Sequence, residues 1–167
     1  SGAASPHLTR IVSLSHAARL SDLIADAVEK GARLPLASGL DGQSIGPHLI
    51  ENTTPDMRLS QEEIFGPILP VLPYTDTDAV IAAINAQDKP LALYIFDGDR
   101  SRVEEITRRT TSGTVGINLT LLHYTHLNLP FGGVNTSGIG AAHGEAGFRA
   151  FSHERAVLRN RFLMLPL

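Results

Sequence analysis

The sequence holds 167 residues, 43% of them hydrophobic and 19% charged, enough chain to bury roughly 70% of its unfolded surface without staples. Fourteen Lys and Arg against seventeen Asp and Glu leave a net charge of -3, which argues against nucleic-acid binding, where a concentrated positive face is needed. With no cysteine at all, disulfides, zinc-thiolate sites, iron–sulfur clusters and a cysteine nucleophile are excluded from these residues.

No run approaches the ~20 apolar residues of a membrane span, and no charged-then-apolar leader opens the chain, so a cytoplasmic address is expected. Residues 15–30 form the first predicted helix, with Leu20, Leu23, Ile24, Ala27 and Val28 on one stripe and Gly31 as its stop. Apolar runs at Arg33–Ala37, His48–Glu51 and 68–73 read as buried strands. Thr75-Asp76-Thr77-Asp78 can cap a second helix that continues through Val80, Ile81 and Ile84. Leu91-Ala92-Leu93-Tyr94-Ile95-Phe96 is almost wholly apolar, as a strand covered on both faces would be. A third helix follows Asp99, with Ser101 and Glu104 in capping-box positions, Val103 and Ile106 facing inward and Gly113 past its end. Residues 114–118 supply the next strand. The alternation from 68 to 118 predicts right-handed βαβ units, hence an α/β fold with a largely parallel sheet and flanking helices. Residues 120–147 break this rhythm with a long, glycine-rich, irregular segment, the kind of loop where function sits. A short helix at 145–151 and a tail at 155–167 close the chain. No repeat, low-complexity tract or linker divides residues 1–167, which read as one domain. Residues 1–5, Ser1-Gly2-Ala3-Ala4-Ser5, read as a cloning remnant or a cut end.

Several chemistries fail on spacing. Gly133 and Gly138 stand as in a phosphate-binding loop, but Ile139-Gly140 occupy the places of its Lys and Ser/Thr, so no charge meets the phosphates. Gly138-Ile139-Gly140 starts a dinucleotide fingerprint whose third glycine, Gly144, comes one residue late. The plainer reading of these glycines is tight turns and close backbone approach in a packed loop. Seven histidines are present, yet only His123 and His126 lie close together, without a carboxylate to complete a metal site. Ser137 lacks the leading glycine of a hydrolase elbow. Glu62-Glu63-Ile64-Phe65-Gly66-Pro67 leaves two readings open. One is a solvated turn with Phe65 in the core. The other is a ligand contact, in which a carboxylate accepts from vicinal hydroxyls and the ring covers a flat heterocycle.

Gln61-Glu62-Glu63-Ile64-Phe65-Gly66-Pro67-Ile68-Leu69-Pro70 closely resembles the E-E-I-F-G-P segment of the aldehyde dehydrogenase superfamily. Leu129-Pro130-Phe131-Gly132-Gly133-Val134, followed by Ser137-Gly138-Ile139-Gly140, is similar to that family's P-F-G-G-x-x-x-S-G-x-G segment. Lys89-Pro90 with the strand after it, and Gly113-Thr114-Val115-Gly116-Ile117-Asn118, match in the same order and spacing. The 91–96 strand and Leu121-Leu122-His123 resemble the class-3-like branch, coniferyl aldehyde dehydrogenases especially. The resemblance runs from about Thr9 to Leu158.

It implies NAD(P)-dependent oxidation of an aldehyde to an acid, in which a cysteine thiolate attacks the carbonyl, hydride passes to the nicotinamide and a glutamate activates water. By resemblance Glu63 holds the nicotinamide-ribose hydroxyls and Phe65 lies beside that ribose and ring. Phe131 is a substrate-pocket aromatic, and residues 118–122, with Asn118, Leu119 and Leu122, form the neighbouring wall. Many relatives of the branch place Asp where Leu119 stands here, which makes this wall less polar. The family's cysteine, general-base glutamate and dinucleotide-binding domain lie upstream of the matched part. The chain is therefore expected to be the C-terminal part of an aldehyde dehydrogenase catalytic domain, with no catalytic residue and no metal of its own. Such a chain would be inactive alone and would bind NAD or NADP weakly or not at all. The alternative is a non-catalytic binding or assembly module descended from the family. A third reading, an unrelated nucleotide-binding α/β domain, predicts a phosphorylated ligand at the glycine loop. A homodimer is expected, paired through the apolar tail at 155–167 with Phe162, Leu163, Met164, Leu165 and Leu167.

Overall fold

Ser13, extended at φ -151, opens the first helix by accepting the amide of His16 on its hydroxyl. This is the start of α1, Leu14–Glu29, in a computed structural model that describes residues 5–159. Ala17, Leu20, Leu23, Ile24 and Ala27 recur at helical spacing and are all buried, each large side chain contributing roughly 1.5–3 kcal/mol. Gly31, at φ 97, turns the chain out of the helix while Ala32 N–H bonds back to the Ala27 carbonyl, the positive-φ exit that favours glycine.

Two compact units make up the chain, Ser1–Thr75 and Asp76–Leu167. In the first, β1 (Arg33–Ala37) pairs antiparallel with β4 (His48–Glu51), and β4 pairs parallel with β5 (Ile68–Val71). Between β1 and β4 stands a small hairpin, β2 (Leu40–Asp41) and β3 (Ser44–Ile45), that the sequence reading missed. Its turn carries Gly42 at φ 55. The two-residue turn is Gly42-Gln43, and a glycine at the first turn position is a hairpin signal. The apolar face of α1 packs with Ile45, Ile50, Met57, Leu59 and Ile68 in one core. His48 is buried in this unit, its Nδ1–H donating to the Gly46 carbonyl at 2.6 Å.

The second unit runs α2 (Thr77–Ala86), β6 (Ala92–Ile95), α3 (Arg100–Arg109) and β7 (Thr114–Ile117), then α4 (Leu122–Thr125) and α5 (Gly144–Ala150). Asp76 caps α2 through the Asp78 amide. β6 and β7 pair in parallel around α3, a βαβ unit. The fold is therefore α/β with a partly parallel sheet: β4–β5 and β6–β7 are parallel, while β1–β4 and β2–β3 are antiparallel. Two expectations need correction here. Asp99, not Ser101, caps α3, accepting the amides of Ser101 and Arg102, while Glu104 pairs with Arg100. An aspartate two residues earlier reaches both free N–H groups, which leaves the serine nothing to cap. The strand at 91–96 is not covered on both faces, since Leu91 is 42% and Phe96 65% exposed. The tail residues 162–167 that were expected to pair two chains lie outside the described residues.

Candidate functional site

His16, Arg19 and Leu20 lie three and four residues apart on α1, hence on one face of it, and the segment 62–67 rests on that face. Arg19 Nη2 donates to the carbonyls of Glu63 at 3.2 Å and Ile64 at 2.6 Å. His16 Nε2 lies 2.8 Å from the Phe65 carbonyl. A carbonyl only accepts, so Nε2 carries the proton, and Nδ1 is left to accept from Arg19 Nε at 3.4 Å. Three successive carbonyls are thus tied to one helix. Gly66 sits directly over Leu20, where a Cβ would come within 2.5 Å of Leu20 Cδ1.

The two adjacent carboxylates part company. Glu62 is bonded by Arg58 Nε at 2.9 Å and Arg19 Nη1 at 3.2 Å. The Arg58 hydrogen bond, with help from Arg19, holds its carboxyl below the usual range. Glu63 is exposed, and its carboxylate makes no ion pair or hydrogen bond among the described residues. Phe65 takes a left-handed backbone at φ 54 and leaves its ring 77% exposed. The reading that placed Phe65 in the core is overturned, because with its backbone tied in this conformation the ring stands in solvent.

In the second unit the structure separates the four predicted wall residues by role. The Asn118 amide is occupied: its Oδ1 accepts the Asp97 N–H at 2.9 Å and its Nδ2 donates to the Asp97 carbonyl at 3.0 Å. Leu119 folds back on Gly116, where Tyr94 also packs. Leu122 is exposed. Phe131 is held by an antiparallel bridge to Ala142, with bonds of 3.0 and 2.8 Å. Around its ring stand Tyr124 edge-on at 5.0 Å and His123 and His143, each at 5.9 Å. His123 also meets Tyr94 at 5.5 Å. The Nδ1 atoms of both histidines are buried without a partner among the described residues. No group of three or more His, Cys, Asp or Glu able to hold a metal occurs among the described residues.

The glycine loop is packed backbone on backbone. A Cβ at Gly133 would overlap the Ser137 carbonyl, and one at Gly132 the Gly140 carbonyl. The close-approach reading of these glycines holds.

The family model for the aldehyde dehydrogenase family matches residues 3–157. The chain belongs to the aldehyde dehydrogenase family. AldX of Bacillus subtilis is 46% identical over 151 residues, covering 89% of this chain and 34% of the relative. The coniferyl aldehyde dehydrogenase of a Pseudomonas species is 41% identical, covering 92% and 33%. Among solved structures, an aldehyde dehydrogenase of Mycobacterium tuberculosis complexed with NAD+ superposes with a TM-score of 0.82 at 31% identity, covering 90% of this chain and 32% of that one. The chain thus spans about a third of the length of the relatives it matches.

Within this aldehyde dehydrogenase chain, Glu63 and Phe65 were singled out by their motif alone. His16 and Arg19, which bond the carbonyls of residues 63–65, and Arg58, which bonds Glu62, were not, although His16 and Arg19 at i and i+3 on a helix were a signal that a polar face has something to hold. His143 and Tyr124 were missed as neighbours of Phe131.

Proposed function

We propose that the chain is the C-terminal portion, a single partial catalytic domain, of an NAD(P)-dependent aldehyde dehydrogenase acting on a coniferyl-type aromatic aldehyde. One observation carries this reading: an unpaired carboxylate at Glu63 and, two residues on, an exposed ring at Phe65, on backbone tied at three successive carbonyls. An ionised carboxylate accepts from the two vicinal hydroxyls of a ribose, and an aromatic ring shields one side of a flat heterocycle from water. The residues present therefore fit the nicotinamide-ribose end of the cofactor. When bound, that cofactor accepts hydride.

In the second unit, Phe131 and Leu119 offer apolar surface to an aromatic aldehyde, with Leu122 exposed nearby in sequence and Asn118 fixing the end of β7. The buried Nδ1 atoms of His123 and His143 favour a ligand that brings a polar group, since an unsatisfied buried polar atom costs about 1–3 kcal/mol. No cysteine is present, so the nucleophile that attacks the carbonyl belongs to polypeptide outside these residues. We expect a cytoplasmic homodimer without nucleic-acid or membrane partners. Among the described residues no helix is long and apolar enough to cross a membrane.

The test pairs calorimetric titration of NAD+ into the purified chain with an NADH assay on coniferyl aldehyde. The assay is run on the chain alone and mixed with the remaining two-thirds of the Pseudomonas relative. Weak or no NAD+ binding and no turnover alone, with NADH formed in the mixture, is the expected result. A mixture no faster than either piece would instead favour a non-catalytic module.

A further inference from the structure

We propose that His16 and Arg19 are positioning residues, a clamp on α1 that holds Phe65 in its left-handed conformation and so presents the Glu63 carboxylate and the Phe65 ring to a ligand. The proposal deepens the cofactor reading above and rests on it for the ligand's identity.

A phenylalanine at φ 54 sits in a region that side chains larger than glycine's avoid, and such a conformation persists only where its surroundings over-determine it. Here the surroundings can be named. Arg19 spends Nη2 on the two carbonyls before Phe65, and His16 spends Nε2 on the carbonyl of Phe65 itself. The two clamp residues are in turn joined, Arg19 Nε donating to His16 Nδ1, which fixes the imidazole as the Nε2–H tautomer needed to donate. Arg19 Nη1 reaches Glu62, so the guanidinium is anchored on both sides. Gly66 completes the seat, because only a residue without Cβ lets the chain lie against Leu20. None of these bonds uses the Glu63 carboxylate or the Phe65 ring. The clamp fixes the backbone and leaves both side chains free.

Released from the clamp, Phe65 relaxes toward the extended region. The binding-competent conformer then falls to a minor fraction, and apparent affinity falls by the same fraction. The expected loss is about tenfold.

The test compares His16→Ala, His16→Gln and Arg19→Ala with the unaltered chain. All three changes lie on partly exposed helix positions, where the fold tolerates them. Glutamine places an N–H donor where Nε2 stood, and so acts as the rescue variant. Two readouts are taken. The first is the strong intraresidue amide–Hα Overhauser effect of Phe65 in the chain, which marks a positive φ. The second is KM for NAD+ against kcat in the mixture described above.

The clamp predicts that His16→Ala and Arg19→Ala lose the Phe65 signature and raise KM for NAD+ about tenfold with little change in kcat, while His16→Gln keeps both near their original values. A Phe65 signature that survives in the alanine variants overturns the clamp. A lost signature with KM unchanged overturns its role in presenting the ligand. If the mixture never forms NADH, the cofactor reading fails, and the Phe65 signature still decides whether His16 and Arg19 hold the backbone.

Discussion

At Asp97 the carboxylate accepts Arg102 Nε at 2.5 Å and Nη2 at 2.8 Å, together with the backbone N–H of Asp99 at 2.8 Å. The Arg102 hydrogen bonds, with that amide, hold its carboxyl far below the usual carboxylate range. The sign follows directly. A depressed pKa in the folded state contributes stability above the unfolded value of 3.8, and that stability is lost as the pH falls below it. Urea unfolding of the second unit followed from pH 6 to pH 3 should therefore show stability falling below about pH 4, and Asp97→Asn should flatten that fall. A second residue-scale prediction concerns Gly133, whose Cβ would overlap the Ser137 carbonyl. Since backbone cannot rotate aside as a side chain can, Gly133→Ala should cost about 1–3 kcal/mol in urea denaturation. Gly98, with nothing within 4 Å of a Cβ, is the neutral control. The sequence motif pointed to Glu63, Phe65 and Phe131, but not to which of two adjacent glutamates is free. That depends on Arg19 and Arg58, the former reaching the segment from 43 residues away in sequence.

Among the elements, α1 does two jobs with two faces. Its apolar stripe builds the first unit's core, and its polar edge seats the segment 62–67. Leu20 belongs to both, since it is fully buried and lies under Gly66. Leu20→Ala should cost about 2–5 kcal/mol in chemical denaturation, and Ser13→Ala about 1 kcal/mol through loss of the cap. Leu20→Ala should also loosen Phe65, whereas Ser13→Ala should leave its backbone signature intact. The helices were readable because their apolar spacing and capping side chains are local. The β2–β3 hairpin was missed because each strand is two residues long, too short for alternation to register. The cap of α3 was misassigned for a related reason. Asp99 and Ser101 both carry suitable oxygens, and only backbone geometry decides which reaches the free amides.

On the scale of the whole chain, many large apolar side chains stand in the open. Phe96, Phe148 and Phe151 are exposed in the second unit, and Leu69, Leu72 and Tyr74 in the first. Such surface is what a soluble chain covers with further polypeptide or with a second copy. Sedimentation at micromolar concentration should show a dimer, and a well-behaved monomer would remove the self-association expectation. Family membership was legible because several motifs keep their order across nearly the whole chain, while the exposure of 91–96 was not, since an apolar strand reads the same whether or not its covering layer is present.

The most direct test of the account is NADH formation from coniferyl aldehyde by the chain alone, by the remaining two-thirds of the Pseudomonas relative alone, and by the two together. The account predicts no NADH from either piece, formation in the mixture, and a raised KM for NAD+ when the chain carries Glu63→Gln. Turnover by this cysteine-free chain on its own, or a mixture indifferent to Glu63, would contradict it.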